Sequence, residues 1–376
     1  MDLSNANAGT FILWTTYLTL IFLGLFARKS KCYDACFIVF MGVVAWLNTD
    51  SADILDVYMP MYAAPQLDWG TEPGWLFLCT VGNAFGLSYN GFAFILTLLA
   101  STALVVFARK TTPNESFYLA LFLVYPGLLS LVQFRQFIAT AIALIGVLVL
   151  VSGRKGKWIW FFLLLLVAFS MHRSSIILVS LAIVPFYRRV PKKLRWLAIT
   201  FGAFLLVEMV INAQSISTFF FGEVKTGAYF RSLHGDTSAG SGGNASSLGT
   251  ALIDIFLTVS LFALVPYFAK RLKEDKVEGS ALLRFASFVN IAMIVLVPML
   301  FITEDFMRFE RYGFMLALCI FAGMPYLAKR HVLFSCKAFL LSVCFAFCWM
   351  YAIRGATFGA VIGPLLSFEY FPSLFL

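Results

Sequence analysis

The stretch LLSLVQFRQFIATAIALIGVLVLV, residues 128–151, is an apolar run of membrane-spanning length that a polar pair interrupts. The pair is Arg135 and Gln136, and an unpaired guanidinium in lipid is strongly unfavourable. Similar apolar runs recur from residue 11 to residue 351, and short polar clusters separate them. Because about 20 apolar residues in a helix cross a bilayer, the pattern predicts an all-α polytopic integral membrane protein.

The basic residues explain how such a chain would be oriented. The 376 residues are 61% hydrophobic and carry a net charge of +9, with Lys and Arg gathered between the apolar runs. Examples are RKSK at 28, RKGK at 154 and RRVPKKLR at 188. By the positive-inside rule these clusters hold their loops in the cytoplasm. The placement therefore indicates membrane topology, and no nucleic-acid partner is expected.

Putting every basic cluster inside predicts one transmembrane domain over residues 1–376, with twelve helices and both termini outside. Residues 49–89 form an outer loop that includes an interfacial or re-entrant helix at 74–88, and residues 212–249 form a long, flexible, Gly- and Ser-rich outer loop. The twelve predicted helices are 11–27, 33–48, 90–107, 115–132, 137–151, 158–170, 176–187, 196–211, 250–268, 281–302, 312–328 and 333–351.

Seven basic residues fall on the outer side of this topology, and six of them are arginine. Arginine binds phosphate and carboxylate through two parallel hydrogen bonds, so the pattern favours an anion site. The alternative for Arg135 is an arginine at a helix end that extends to the surface or pairs with an outer acid. The seven residues are Arg135, Arg173, Lys225, Arg231, Arg308, Arg311 and Arg354.

The apolar stretch 158–187 has basic clusters at both ends, which requires a helical hairpin. Each arm has a length of about 20 Å, against a hydrocarbon core of about 30 Å, so the MHRSS tip should lie below the outer surface. The predicted hairpins 115–151 and 281–328 have tips of their own. We therefore expect Arg135, His172 with Arg173, and Arg308 with Arg311 to lie at similar depth.

His172 at this tip is either a base or a polar residue that caps the turn, since imidazole accepts a proton near neutral pH. The outer loop 49–73 carries five acids, but they lack the spacing and the histidines of a metal site. No nucleotide-binding or metalloprotease motif occurs. We therefore expect no metal and no cofactor. The seven cysteines are expected to be packing residues. The five acids are Asp50, Asp53, Asp56, Asp68 and Glu72.

Several segments, in order, resemble the EpsG-like branch of the Wzy-type polysaccharide polymerases. They are Asp56 with Tyr58 and Tyr62, EPGW at 72–75, FRQFIATAIAL from 134, LLLVAFSMHRSSIIL from 164, and RFERYGFM from 308. The Arg-Gln and His elements are the most specific of them. Two features depart from the family pattern: Asp53 competes with Asp56 for the acid position, and Arg173 directly follows the histidine.

The resemblance implies a glycosyltransferase with a GT-C-like fold, acting in exopolysaccharide or O-antigen (lipopolysaccharide) biosynthesis. Its substrates would be oligosaccharide repeat units on undecaprenyl diphosphate, joined at the periplasmic face of the bacterial inner membrane without a metal. Membrane lipids are expected partners, and a chain-length regulator is a candidate protein partner. The alternatives are an O-antigen ligase, a transferase that uses a polyprenyl-phosphate sugar, or a glycolipid transporter or flippase. A transporter fits less well because the chain shows no internal repeat.

The resemblance also gives the candidate residues their roles. His172 is the favoured base, and Glu72 or Asp56 is the alternative base or its orienting partner. Arg135 and Arg311 bind the diphosphate, with further anion contacts from three other arginines. Gln136, Tyr312 and Tyr58 bind sugar or phosphate oxygens. The three further arginines are Arg173, Arg308 and Arg231.

Overall fold

In the computed structural model every regular element among the described residues is a helix, which confirms the α-helical class. The described residues are 3–48, 51, 53–65, 72–152, 154–183, 307–326 and 332–353, with scattered positions between 256 and 286. The α-helices are α1 Leu3–Phe26, α2 Lys31–Leu47, α3 Met59–Ala63, α4 Pro73–Ala84, α5 Tyr89–Thr111, α6 Glu115–Phe122, α7 Leu128–Val132, α8 Phe134–Val151, α9 Lys157–Met171, α10 Met307–Gly323 and α11 Leu333–Cys348.

Four described segments are long and apolar enough to cross a membrane: Gly9–Phe26, Tyr89–Thr111, Glu115–Val132 and Phe134–Val151. Shorter apolar helices follow at Lys157–Met171, Arg173–Ala182 and Leu333–Cys348. These segments fit a helical membrane protein. The total of twelve spans and the GT-C-like arrangement stay predictions, because the predicted helix 196–211 and most of 250–268 and 281–302 lie outside the described residues.

The chain divides into two compact units. The first contains Met1–His172, Asp275–Gly279 and Leu318–Leu376, and the second contains Arg173–Glu274 and Ser280–Ala317. In the first unit, glycines allow neighbouring helices to approach closely. A Cβ on Gly24 of α1 would lie 2.5 Å from Ala120 Cβ of α6, and one on Gly42 of α2 would lie 2.8 Å from Leu98 Cδ2 of α5. Small residues at such crossings are typical of helices that pack in a membrane.

The predicted helix 115–132 is wrong in one respect, because the structure breaks it. A π-helical turn, Leu123–Gly127, separates α6 from α7, and Tyr125 in it is extended. Pro126 causes the break, since it has no N–H to donate. The Tyr17 hydroxyl donates to the Leu123 carbonyl at 3.0 Å, and the Ser130 hydroxyl donates to the Pro126 carbonyl at 2.9 Å. The whole segment is buried, as irregular backbone at membrane depth requires.

Two further boundaries differ from the prediction. The segment predicted as helix 176–187 is a 3-10 helix, Arg173–Ile183, and it begins directly after His172. Helix α10 begins at Met307 rather than at 312, so that Arg308 and Arg311 lie in its first turns instead of in a loop. Met, Arg and Glu favour helix strongly, and this local preference extends α10 beyond its apolar run. The predicted interfacial helix 74–88 is observed as α4, Pro73–Ala84.

An ionic cluster joins three helix ends in the first unit. Arg109 near the end of α5 donates from Nε to Glu115 Oε2 at 3.0 Å, and its Nη2 donates to Asp34 Oδ2. The Asp34 and Glu115 side chains are only 5% and 1% exposed, whereas Arg109 is 36% exposed. The single positive charge of Arg109 thus contacts two buried carboxylates, whose negative charges otherwise would repel each other. Arg109 is therefore the residue on which this cluster depends.

Replacing Arg109 with alanine is expected to destabilise the protein by about 2–3 kcal/mol, because two buried carboxylates lose their counter-ion. The value lies below that for a fully buried pair because solvent screens the exposed part of Arg109. Thermal unfolding of the detergent-purified protein measures the change. Lys110→Ala is the matched control, since Lys110 is the next cation in α5 and is exposed. Equal melting temperatures for the two variants would contradict the role given to the cluster.

Helix α5 separates this ionic cluster from a cluster of aromatic residues. Phe92, near the beginning of α5, packs on Tyr62 and Trp75, with ring centroids 4.8 and 5.7 Å away. Arg109 follows seventeen residues later, about 26 Å along the helix axis. The aromatic residues and the ionic cluster therefore lie at opposite ends of the first unit.

Candidate functional site

Arg135 lies in the first turn of a helix in the structure. Gln133 ends α7 with φ −87° and ψ 60°, and α8 then begins at Phe134. The sequence had placed Arg135 in a turn between helices 115–132 and 137–151. The break at Gln133 agrees with that turn, but it is shorter than expected, and helical backbone holds Arg135. The guanidinium is thus attached to a rigid element rather than to a loop.

Glu72 is the acid that the structure pairs with Arg135. Glu72 Oε2 lies 2.5 Å from Arg135 Nη1, although 63 residues separate the two in the chain. Their side chains are 9% and 18% exposed, so the pair is largely shielded but still reachable. A hydrogen bond between two charged groups in such surroundings is stronger than one in water.

An aromatic ring packs against the Arg135 guanidinium, and further rings pack behind it. Its Cζ lies 5.4 Å from the Tyr58 ring centroid, in the range of a cation–π contact. The Trp75 ring lies 5.7 Å from the Tyr58 ring and 5.7 Å from the Phe134 ring. Tyr58 and Trp75 are themselves buried. Tyr58 therefore packs against the arginine, and its contact with substrate oxygens stays a prediction.

Hydrogen bonds fix the short helices that carry this cluster. The Tyr62 hydroxyl of α3 donates to the Leu87 carbonyl at 2.7 Å, and the Asn83 amide of α4 donates to the Tyr62 carbonyl at 2.5 Å. Both bonds tie α3 to the segment that leads from α4 into α5. The positions of Tyr58 and Glu72 are thereby linked to the long helix α5.

Cys79 of α4 lies close enough to Arg135 for the positive charge to influence its pKa, but its thiol is not a nucleophile. Burial raises the pKa of the Cys79 thiol to about 12, and the positive charge of Arg135 only partly opposes this. The thiol is therefore neutral at physiological pH, and a thiol is a weak nucleophile in that form. Cys79 fits the packing role predicted for it. The exposed Cys32 and Cys36 do not fit that role.

Helices α8 and α9 form a hairpin that brings His172 to the level of Arg135. Their connection contains Gly156 with φ +73°, and a Cβ on Gly146 of α8 would lie 3.4 Å from Leu164 Cβ of α9. Arg135 lies eleven residues before Gly146, and His172 lies eight residues after Leu164. At the helical rise these are about 16 and 12 Å in the same direction. Both residues thus lie at the end of the hairpin away from the basic RKGK turn.

Helix α9 ends at His172. The backbone there is extended, with φ −159° and ψ 122°, and the His172 N–H donates to the Ala168 carbonyl at 2.9 Å. The His172 side chain is half-buried. The first turn of α4 packs on the same end of α9, because a Cβ on Gly74 would lie 2.9 Å from Met171 Cε. Glu72 and His172 are each two residues or fewer from this contact.

Replacing Gly74 with alanine is expected to lower activity by about tenfold to 100-fold. The new Cβ would lie 3.0 Å from the Ser170 carbonyl carbon, so α4 must shift and Glu72 with it. Displacements of this size at a site are costly because catalysis depends on alignment. Activity of the purified protein measures the effect. Gly91→Ala is the matched control, since its Cβ would lie at an ordinary 3.4 Å from Ser88 Oγ. Full activity of Gly74→Ala would contradict the importance of this contact.

The second unit has its own polar contacts. The Ser174 hydroxyl donates to the Tyr312 hydroxyl at 3.5 Å, and the Thr258 hydroxyl donates to Glu310 Oε2 at 3.3 Å. Arg311 and Tyr312 are buried, and Arg308 is half-buried. The structure thus brings Ser174, in the segment directly after MHR, into contact with Tyr312 of the RFERY segment.

The remaining candidates are placed as follows. Asp56 is exposed on a π-helical turn whose buried residues include Tyr58, and Asp53 is half-buried beside it. Gln136 is buried next to Arg135, and Arg173 is half-buried. Arg231 and the loop 212–249 lie outside the described residues. Of the candidate acids that the structure describes, Glu72 is thus the one in contact with Arg135.

Sequence reasoning missed the residues that support the arginine, namely Trp75, Phe134 and Gly74. All three stand inside the EPGW and FRQF segments, and Phe134 directly precedes Arg135. Trp75 joins α4 to α8 across some 60 positions of sequence, and Gly74 joins α4 to α9 across almost 100. No periodic pattern contains that information.

Comparison with known proteins adds evidence of a different kind. A profile of the EpsG family matches residues 31–372, and this range includes both the Glu72–Arg135 pair and the Ser174–Tyr312 contact. Comparisons with curated proteins and with solved structures gave no match. EpsG-like proteins are similar to Wzy-type polymerases. Because the profile covers nearly the whole of this helical, membrane-compatible chain, the protein belongs to the EpsG family.

Proposed function

We propose that this protein is a glycosyltransferase that joins oligosaccharide repeat units carried on undecaprenyl diphosphate, at the periplasmic face of the bacterial inner membrane. The EpsG family suggests a polymerase-like role in exopolysaccharide or O-antigen assembly. The observation that carries the finer proposal is the Arg135 guanidinium, in contact with Tyr58 and Glu72 at the end of the first unit opposite the Arg109 cluster. If the basic loops are cytoplasmic, this end faces outward.

The chemistry requires a group that stabilises a departing diphosphate. The glycosyl bond from the anomeric carbon to the phosphate oxygen breaks, and its electron pair goes to the diphosphate. A guanidinium matches phosphate oxygens with two parallel donors and needs no metal to neutralise them. Arg135 is fixed before substrate arrives, because α8 and the Tyr58 ring hold it. Such preorganisation is what makes electrostatic stabilisation effective.

The acceptor hydroxyl must lose a proton as its oxygen bonds to the anomeric carbon. We assign this proton to His172, which is half-buried at the end of α9 and at the level of Arg135. Glu72 and Asp56 are the alternative bases. Glu72 is the closer alternative because it contacts Arg135, whereas Asp56 is exposed.

The other roles come from the sequence and form part of the same proposal. Arg311 is expected to bind the diphosphate, with Arg173, Arg308 and Arg231 as further anion contacts. Gln136 and Tyr312 are expected to bind sugar or phosphate oxygens. Single alanine variants of each residue, scored by polymer length, test these assignments one at a time.

Purified protein in lipid nanodiscs, given repeat units on undecaprenyl diphosphate, tests the proposal as a whole. We expect lipid-linked chains of increasing length, with release of undecaprenyl diphosphate. Transfer of the repeat unit only to a lipid A acceptor would support a ligase instead. Use of a monophosphate-linked sugar alone would support the other class of transferase. Movement of the lipid-linked substrate across the bilayer without a new glycosidic bond would support a transporter.

A further inference from the structure

The Glu72 carboxylate occupies the place on Arg135 that a phosphate oxygen of the donor would take. Glu72 is the residue that precedes helix α4, a position at which short polar side chains such as Asp or Ser commonly accept a backbone N–H. In this structure the Glu72 side chain makes no such capping bond, and Pro73 follows it. The carboxylate contacts Arg135 instead, at 2.5 Å. Its placement therefore serves the arginine rather than the helix.

Arg135 is positioned by groups other than Glu72. The Tyr58 ring lies beneath its guanidinium, and the Trp75 ring links Tyr58 to Phe134, the residue before Arg135. Helix α8 fixes the backbone, and the tie from Tyr62 to Leu87 fixes the neighbouring α3. Removing the carboxylate would leave these contacts intact. A carboxylate that is not needed for orientation is free to act as a competitor.

From this geometry we propose that Glu72 is an internal anion which holds Arg135 in the unloaded enzyme and which the diphosphate of the donor displaces. The inference rests on the proposed function. A sugar-linked diphosphate carries about two negative charges against one for the carboxylate, so the exchange at Arg135 is electrostatically favourable. It also offers two phosphate groups to the donor fork of the arginine. Without donor the pair is neutral, which lowers the attraction for small anions that carry a single charge.

The direction of the affinity change in Glu72 variants tests the proposal. We expect Glu72→Gln to bind undecaprenyl diphosphate about fivefold to tenfold more tightly than the wild type, because no ion pair must be broken first. The KM for the lipid-linked donor should fall in the same proportion. Glu72→Ser is the second variant, since serine is a favoured helix N-cap and keeps α4 stable without the carboxylate. The same gain is expected for it.

Binding is measured with undecaprenyl diphosphate in phosphatidylcholine nanodiscs, so that no sugar transfer is required. In the Arg135→Ala background, Glu72→Gln should give a smaller gain, because the arginine for which the two anions compete is gone and only the repulsion between the carboxylate and the diphosphate is relieved. Weaker binding by both Glu72 variants would show that Glu72 orients Arg135, and would overturn the exchange while leaving the proposed function intact. Unchanged binding by both variants would also overturn it. Absence of wild-type binding would overturn the exchange together with the diphosphate donor.

Discussion

Arg135→Ala is expected to lower kcat/KM for polymer extension by about 1000-fold or more. Removing one preorganised donor from a developing oxyanion typically costs two to three orders of magnitude, roughly 100-fold to 1000-fold. Here the loss is larger, because the Glu72 carboxylate would remain beside the diphosphate and repel it. Extension of lipid-linked repeats by the purified variant measures the effect. In cells, a polymerase-null strain complemented with this variant should make single repeat units in place of long chains.

Two controls separate charge, geometry and folding in that experiment. Arg135→Lys keeps the charge but loses the planar fork, so we expect an intermediate loss of about tenfold to 100-fold. Arg154→Ala removes the same charge from the turn at the other end of the α8–α9 hairpin, where Arg154 is exposed, and should leave extension unchanged. Wild-type chain lengths from Arg135→Ala would remove the arginine from the mechanism.

His172→Ala has the second largest expected effect, a fall in kcat of about 100-fold to 1000-fold. A positioned base typically contributes this much to a reaction that removes a proton in the transition state. The KM for the donor should change little, because His172 is assigned to the acceptor hydroxyl and not to the diphosphate. Steady-state kinetics with varied donor, together with a melting curve of the variant, separate loss of chemistry from loss of folding.

The alternative bases define the result that would contradict the role given to His172. If His172→Ala keeps kcat within about threefold of the wild type, the proton goes elsewhere. Glu72→Gln and Asp56→Asn then become the informative variants. A large fall in kcat for Asp56→Asn alone would place the base on the exposed Asp56 of the π-helical turn Ile54–Tyr58 rather than at the end of α9. That result would require an acceptor site that differs from the one proposed.

The helical class and several placements follow from local features of the sequence. Apolar length predicts α2, α8 and α9 to within about three residues of their observed ends. The basic RKGK cluster predicts the turn between α8 and α9, because Lys and Arg mark the cytoplasmic side. From that turn and the helical rise, the similar depth of Arg135 and His172 could also be anticipated. These inferences need only composition and counting.

The pairing at the site could not be predicted in the same way. Glu72 and Asp56 both belong to the predicted outer loop, and nothing in their local sequence says which of them reaches Arg135. The choice is made by packing: Gly74 lets α4 contact α9, and Trp75 fills the space between Tyr58 and Phe134. The break at Pro126 was missed for a related reason. Proline signals a break, but the Tyr17 hydrogen bond that helps to make it tolerable comes from a helix 106 positions away in the chain.

The central claim is that the Arg135 end of the first unit binds the diphosphate of the lipid-linked donor. Photo-crosslinking with a diazirine-bearing polyprenyl diphosphate, followed by mass spectrometry of the peptides, tests it most directly. We expect adducts on the Ile54–Tyr58 turn and on the first turns of α4 and α8. Excess undecaprenyl diphosphate should abolish them. Competed adducts confined to the ends of α2, α5 and α6 around Arg109 would contradict it.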